Sequence, residues 1–426
     1  MASLRLRLIW LLLLFQQLGC ASYTEEIRDI RLNYQNGRYE DALQRLEKSA
    51  LQKQDRHRVL MLLEQAMIQD RLGEYAKSRH LLLEASRTID ELYTVSVSQE
   101  LATYVYNESA QSYSGEDYEK VAVHTMLALS FLGEGNLESA GVEARRINNR
   151  LAELNQAYGE KKNRYGEDAF ARYLSAMIYE ARGEWDSAII DYKNALRIYE
   201  GDYNKHFSTQ FPSDLVSALH RNLLRRGRKE EATVLARSYP RYVQQLSDLR
   251  QKGELVVIHE LGMIAEKNNY DHLIPWGKEI IRLSFPIIRP RSPSRFGRTG
   301  VRRQGQPFIA AQLAQNMDKI AAETLEDRRF RMVAKQAARL IAKSQLSQQA
   351  EKQFGGLAGL AVNVVGAVTE TADTRSWTLL PSAFYVTRYQ LPPGVHKVEL
   401  FSNGRLSDVK EIKIKSGEIQ FLRDRA

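Results

Sequence analysis

Five segments of this 426-residue chain share one short pattern: a glycine, a large side chain two residues later, and alanine or serine five residues later. They are Gly37–Tyr39–Ala42, Gly73–Tyr75–Ser78, Gly135–Leu137–Ala140, Gly183–Trp185–Ala188 and Gly227–Lys229–Ala232. Each lies between two stretches of helical periodicity. Glycine permits a tight connection between two helices, and the small residue lets the second helix pack closely on the first. One such hairpin cannot bury its own apolar face, so the units must stack. The repeat glycines are 36, 62, 48 and 44 residues apart. The array is therefore irregular, with longer helices or an extra pair between Gly73 and Gly135.

The pattern resembles the turn of the tetratricopeptide repeat (TPR), whose period is about 34 residues. The Gly183 unit carries the likeness furthest. Ala176 and Tyr179 precede it on the first helix, and Tyr192 and Ala195 follow Ala188 at i+4 and i+7 on the second. Leu82 and Ala85 repeat this arrangement after Gly73, and Leu46 does so in part after Gly37. Trp185 is expected to plug the space between helices. The fold class is thus mainly α: a TPR-like helical solenoid over residues 20–250, followed by a smaller α+β C-terminal domain over 251–426.

The texture changes after residue 250. Glu254–His259 is a β-branched run, and Lys278–Ile288 contains a second strand candidate interrupted by Pro286. Residues 289–307 hold six arginines, three prolines, three glycines and no acid, and read as an exposed, mobile loop. Residues 308–352 read as helical, with Ile320, Leu325, Met332, Val333, Leu340 and Ile341 on one face. Gly355–Val368 is apolar but for Asn363, a buried core element or a segment that dips into a membrane or docks a helix. Residues 372–426 are β-rich, with strands expected at Phe384–Tyr389, Val395–Phe401, Val409–Ile414 and Ile419–Leu422. The last forty residues or so resemble the small PEGA-type β-module of bacterial surface proteins. Trp377 is expected to plug its core or to form an exposed partner site.

Residues 1–19 read as a secretory signal: Arg5 and Arg7 precede the apolar run Leu8–Phe15, which is too short to span a bilayer. Gly19-Cys20 ends it and resembles the bacterial lipobox, which implies lipidation of Cys20, the chain's single cysteine. Ala21, where Asp would resemble an inner-membrane retention signal, points to an outer-membrane anchor facing the periplasm. With the repeats, the run Glu254–Gly262 and the segment Ala372–Leu400, the chain is similar to a poorly characterised family of bacterial TPR lipoproteins. Such proteins are encoded near lipoprotein activators of penicillin-binding proteins, which implies cell-wall work and carries over no catalytic residue.

No catalytic constellation emerges. His259-Glu260 opens a zincin-like motif, but Met263 stands where the second histidine is needed, and the remaining histidines lack ligand spacing. Gly355, Gly356 and Gly359 lack the Lys-Ser/Thr of a phosphate-binding loop. No cofactor, metal or enzymatic activity is expected. From Cys20 to Arg250 the chain carries 32 basic and 35 acidic side chains, and from Gln251 onward 27 and 17. In a secreted chain that basic half suits peptidoglycan or anionic lipid rather than nucleic acid, with Arg295, Arg298, Arg302 and Arg303 as candidate contacts. The expected function is a periplasmic protein–protein interaction scaffold in cell-envelope or peptidoglycan biogenesis, its concave TPR face holding an envelope protein or peptide. An accessory role in polysaccharide or protein export is the alternative, and a cell-wall hydrolase a more distant one.

Overall fold

Five helical hairpins fill the first half of the chain. They are α1 (Tyr23–Gln35) with α2 (Tyr39–Lys48), α3 (Arg58–Arg71) with α4 (Tyr75–Ser98), α5 (Asp117–Gly133) with α6 (Leu137–Tyr158), α7 (Ala169–Ala181) with α8 (Trp185–Ile198), and α9 (Ser213–Arg225) with α10 (Lys229–Ser238). The computed structural model describes residues 23–98, 111–158, 164–243, 251–276, 279–329, 332 and 372–425. The leader with Cys20, the helical positions Val333, Leu340 and Ile341, and the run Gly355–Val368 lie outside the described residues.

All five connections are built alike. In the fourth, the Gly183 amide donates to the Glu180 carbonyl and the Glu184 amide to the Tyr179 carbonyl, at 3.1 and 2.9 Å. This is the Schellman arrangement, which needs a left-handed residue; Gly183 supplies it at φ +77°. Gly37, Gly73, Gly135 and Gly227 close the same pair of bonds. Ala42, Ser78, Ala140, Ala188 and Ala232 are buried where each second helix meets its first. The long interval between Gly73 and Gly135 is taken up in part by the 24-residue helix α4.

The large residues of the pattern sit at the edge of the interior, where Tyr39 and Leu137 pack against the core without being enclosed by it. Tyr39, Tyr75, Leu137 and Trp185 are half-buried and Lys229 is exposed, because each begins its second helix at the rim of the turn. Three of the aromatics are instead covered by arginines from elsewhere. Arg225 lies 3.9 Å from the centre of the Trp185 ring, Arg71 5.0 Å from that of Tyr39, and Arg425 5.3 Å from that of Tyr75.

The second half builds two four-stranded sheets and a ribbon. The first sheet has the order β10 (Ile419–Arg425), β1 (Gly253–Leu261), β7 (Ala383–Leu391), β6 (Gln312–Asn316), with β10 parallel to β1 and the other pairs antiparallel. The second has the order β5 (Ile309–Ala310), β4 (Gly300–Arg303), β8 (Gly394–Ser402), β9 (Arg405–Ile414). β2 (Lys267–Trp276) and β3 (Glu279–Ile288) pair only with each other, which lets β3 accommodate Pro286. β1 is buried along its whole length. Its alternation divides it between two cores: Val256 and Ile258 join the helical core, while Leu255 and Val257 face Val301, Val398, Leu400 and Ile412 of the second sheet.

Three expectations change here. Residues 309–316 are extended rather than helical, because β6 finds a partner in β7, and the helix begins only at 317. The arginine-rich segment is ordered: β4 lies within it, paired to β8 and β5. The last four strands are no separate module, since β7 and β10 flank β1 while β8 and β9 join β4.

A cation over an aromatic face contributes about 0.5–2 kcal/mol. Trp185→Ala and Arg225→Ala should each lower the melting temperature modestly, and the double variant should lose less than the sum. Strict additivity in that double-mutant cycle would show that the stacked pair contributes nothing.

Candidate interaction site

The first helices α1, α3, α5, α7 and α9 share one face, and the chain's own C-terminal half covers it. Residues 375–382 run across this inner face, buried throughout and belonging to neither helix nor strand. Their backbone groups must find partners elsewhere, and the helices supply them. Glu64 on α3 accepts from the Thr378 amide at 2.6 Å, the Thr378 hydroxyl at 2.7 Å and the Leu379 amide at 2.9 Å. Glu119 on α5 accepts from the Trp377 amide at 2.8 Å. Tyr23 donates to the Ser376 carbonyl at 3.0 Å, and Arg31 on α1 donates to the carbonyl of Thr378. The guanidinium of Arg375 reaches the carbonyls of Gln111 at 2.8 Å and Arg56 at 3.2 Å. The strap is thus held as a bound peptide would be. Trp377 is wholly buried, and its core is shared with the helices rather than confined to the sheets.

Two ionic clusters fasten the sheet behind the strap. Glu180 (α7), Arg221 (α9), Glu254 (β1) and Arg388 (β7) form a closed, buried ring. Arg221 donates to Glu180 at 2.6 Å and to Glu254 at 2.8 Å, and Arg388 donates to Glu180 at 2.9 Å and also to Glu254. Tyr192 and Asn222 fill the remaining valences of Glu180, at 2.6 and 2.7 Å. At the other end, Arg423 of β10 bridges Glu260 at 2.6 Å and Asp70 of α3 at 3.0 Å, and Arg425 reaches Asp70 at 2.7 Å. Phe170 of α7 stacks on Phe384 of β7, with ring centres 4.9 Å apart.

His259, on β1, is a structural residue. Its Nδ1 lies 2.7 Å from Asp424, and Thr387 stands 3.4 Å from Nε2. All three are buried between the sheets.

A cavity of about 430 Å³ opens beside the α1–α3 end of the interface, lined by Arg71, Arg291, Arg295, Phe296 and Arg425 among others. Of the four arginines singled out in the sequence, only Arg295 reaches it. Arg298 lies on the Phe308 ring at 3.9 Å, Arg302 pairs with Glu399 at 2.6 Å on the second sheet, and Arg303 sits in β4 opposite Val398. The repeat residues from Gly37 to Ala232 stand at or just beyond the hairpin turns, Tyr39 among them lining this cavity, and no group of metal-ligating side chains occurs among the described residues. Sequence reasoning missed Glu64, Glu119, Glu180 and Arg388. Their signal is a charge set among apolar neighbours, as in Val59–Ile68 around Glu64.

No family model matches the chain, and no curated protein matches it. Solved structures similar to part of the chain include MamA of AMB-1, 18% identical with a TM-score of 0.31 over 52% of this chain and 91% of that one. The apo form of RapI is 12% identical with a TM-score of 0.35, covering 55% of this chain and 58% of that one. A tetratricopeptide repeat protein from Parabacteroides merdae is 16% identical, with a TM-score of 0.18 over 53% and 94%. At these scores the TPR-like assignment rests on the hairpins themselves.

The buried carboxylates give the interface a pH signature. Burial pushes the Glu64 carboxyl up to about 7, against the hydrogen bonds from Thr378 and Leu379. Burial and the neighbouring Glu116 raise Glu119 as well, and burial raises Asp214 to about 6. A carboxyl raised in the folded state stabilises the fold fully below its ordinary value, and that contribution is lost as pH climbs through the folded value. Burial also disfavours the charged form of Glu180, but Arg221 and Arg388 outweigh it and hold this carboxyl low, so its contribution disappears only in strong acid. Burial lowers His57 to about 4 and works the other way over this range, but Glu64, Glu119 and Asp214 outnumber it, so the protein should melt at a higher temperature at pH 5.5 than at pH 8, and Glu64→Gln should shrink the difference. A melting temperature that falls from pH 8 to 5.5, or a difference untouched by Glu64→Gln, would contradict this assignment.

Proposed function

We propose that the protein is a protein–protein interaction scaffold of the bacterial envelope. In this reading a lipid on Cys20 holds it at the periplasmic face of the outer membrane, where it serves cell-envelope or peptidoglycan biogenesis. The observation that carries the scaffold reading is the occupied inner face. With that face filled by the strap and first sheet, recognition moves to the outer face made by the second helices.

That face carries a row that repeats with the hairpins. Val142, Ile190 and Val234 each follow the buried alanine of their unit by two residues, on α6, α8 and α10. They are 37%, 58% and 62% exposed. Single exposed aliphatics are ordinary, but three at one repeat position place apolar side chains on successive second helices. A protein partner with a complementary apolar edge suits this row, and the lipid anchor would hold the scaffold in the compartment of that partner.

Photo-crosslinking residues at positions 142, 190 and 234 in intact cells should yield one common adduct, absent when the probe is at the exposed Glu40 of α2. Cys20→Ala should release the protein from the membrane fraction and reduce the adduct. No adduct from any of the three positions, or equal adducts from Glu40, would overturn the scaffold reading. Unchanged membrane retention of Cys20→Ala would overturn the anchor.

A further inference from the structure

The cavity beside α1 and α3 has more positive charge around it than the fold's own carboxylates balance. Arg31, Arg71, Arg291, Arg295 and Arg425 line it, and Arg423 stands directly behind Asp70 and Glu260. Against these six guanidiniums stand four carboxylates, each already engaged. Glu260 is taken by Arg423, Asp70 by Arg423 and Arg425, Glu266 by Arg31 and Asp318 by Arg291.

Two cations are left without a close carboxylate of their own among the described residues. Arg71 donates to the Tyr39 hydroxyl at 2.9 Å and otherwise lies against the rings of Tyr34 and Tyr39. Arg295 donates to the Ser382 hydroxyl at 2.6 Å, lies on the Phe296 ring at 4.5 Å, and is 3.7 Å from the Asp318 carboxylate that Arg291 already holds. Burial and the charge of Arg291 both lower the proton affinity of Arg295, as expected of a cation awaiting an anion.

The cavity is shaped as well as charged. Gly262 has φ +62°, and a side chain there would press within 2.9 Å of the Phe296 ring. Its absence lets Phe296 and Arg295 lie across the chain and form one wall. Met67 and Met263 add apolar surface. At about 430 Å³ the volume suits a small organic molecule.

We propose that this cavity binds a small organic dianion, carrying phosphate or paired-carboxylate groups toward Arg71 and Arg295 and an apolar body against Phe296 and Met67. A guanidinium offers two parallel donors matched to either group. The wall combines both halves of the chain, α1 and α3 from the repeats with the arginine-rich segment and β10. A ligand here would bridge them, a role that a scaffold acting through its outer face does not require.

Titration calorimetry on the full chain in detergent at low salt tests the proposal, with phenyl phosphate, phthalate and inorganic phosphate as probes and benzyl alcohol as the neutral control. Saturable binding of phenyl phosphate or phthalate is expected, and whichever binds tighter tells phosphate from dicarboxylate chemistry. Arg71→Gln and Arg295→Gln should each weaken it about tenfold, the loss of one charge-assisted contact. Arg302→Gln, on the second sheet, should leave it unchanged. If Arg71→Gln lowers the melting temperature, Arg295→Gln decides, since its closest partner is a single hydroxyl. No saturation with any of the three anions, or equal binding by wild type and both glutamine variants, would overturn the site. Crosslinking from positions 190 and 234 is independent of this cavity, so either proposal can fail alone.

Discussion

A guanidinium buried away from water without carboxylates around it costs more than most domains can spare. Arg388 is wholly enclosed, and two of its partners, Glu180 and Tyr192, come from the fourth helical hairpin. Arg221 of the fifth hairpin closes the ring from the other side. Pulled apart, the repeats would bare Glu180 and Arg221, and the sheet would bare Glu254 and Arg388. The ring therefore makes each half a condition for the other. The near-complete burial of α7, from Ala169 to Glu180, follows from the same arrangement: it packs on helices at its sides and on β7 and β6 across its inner face.

This changes what the repeats do. A TPR array usually offers its concave surface to another molecule. Here the equivalent face recognises residues 375–382, and it does so with the means a peptide receptor uses, buried carboxylates on backbone amides and an arginine on a carbonyl. The helical half is thus the receptor of its own C-terminal half. The surfaces proposed for other molecules are therefore the outer face and the arginine-walled cavity where the two halves meet.

The hairpins were legible because a left-handed residue at each turn leaves glycine at a fixed offset from a small buried residue. The strands from Ala383 onward were legible because alternation and the turn residues Gly394, Asn403–Gly404 and Gly417 agree. The docking was not. It depends on single charges separated by hundreds of residues, Glu64 from Thr378 and Glu180 from Arg388, and no local period records such a pairing. Residues 309–316 were misread for a related reason. Their alanines and glutamines favour a helix locally, yet pairing of β6 with β7 overrides that preference. The arginine-rich segment looked like a free loop because Asp318, Glu399 and the ring of Phe308, which hold it, lie outside it in sequence.

The claim that the halves form one folding unit is tested most directly by urea unfolding of a single protein followed with two probes. Far-ultraviolet dichroism reports the helical hairpins. Fluorescence of Trp377, after replacement of Trp10, Trp185 and Trp276 by Phe, reports the docked strap. Coincident transitions are expected, with Arg388→Ala shifting both to lower urea together. Loss of the Trp377 signal at a urea concentration where the helical signal stays native, with a hairpin transition indifferent to Arg388→Ala, would show that the solenoid stands without its C-terminal half and would contradict the account.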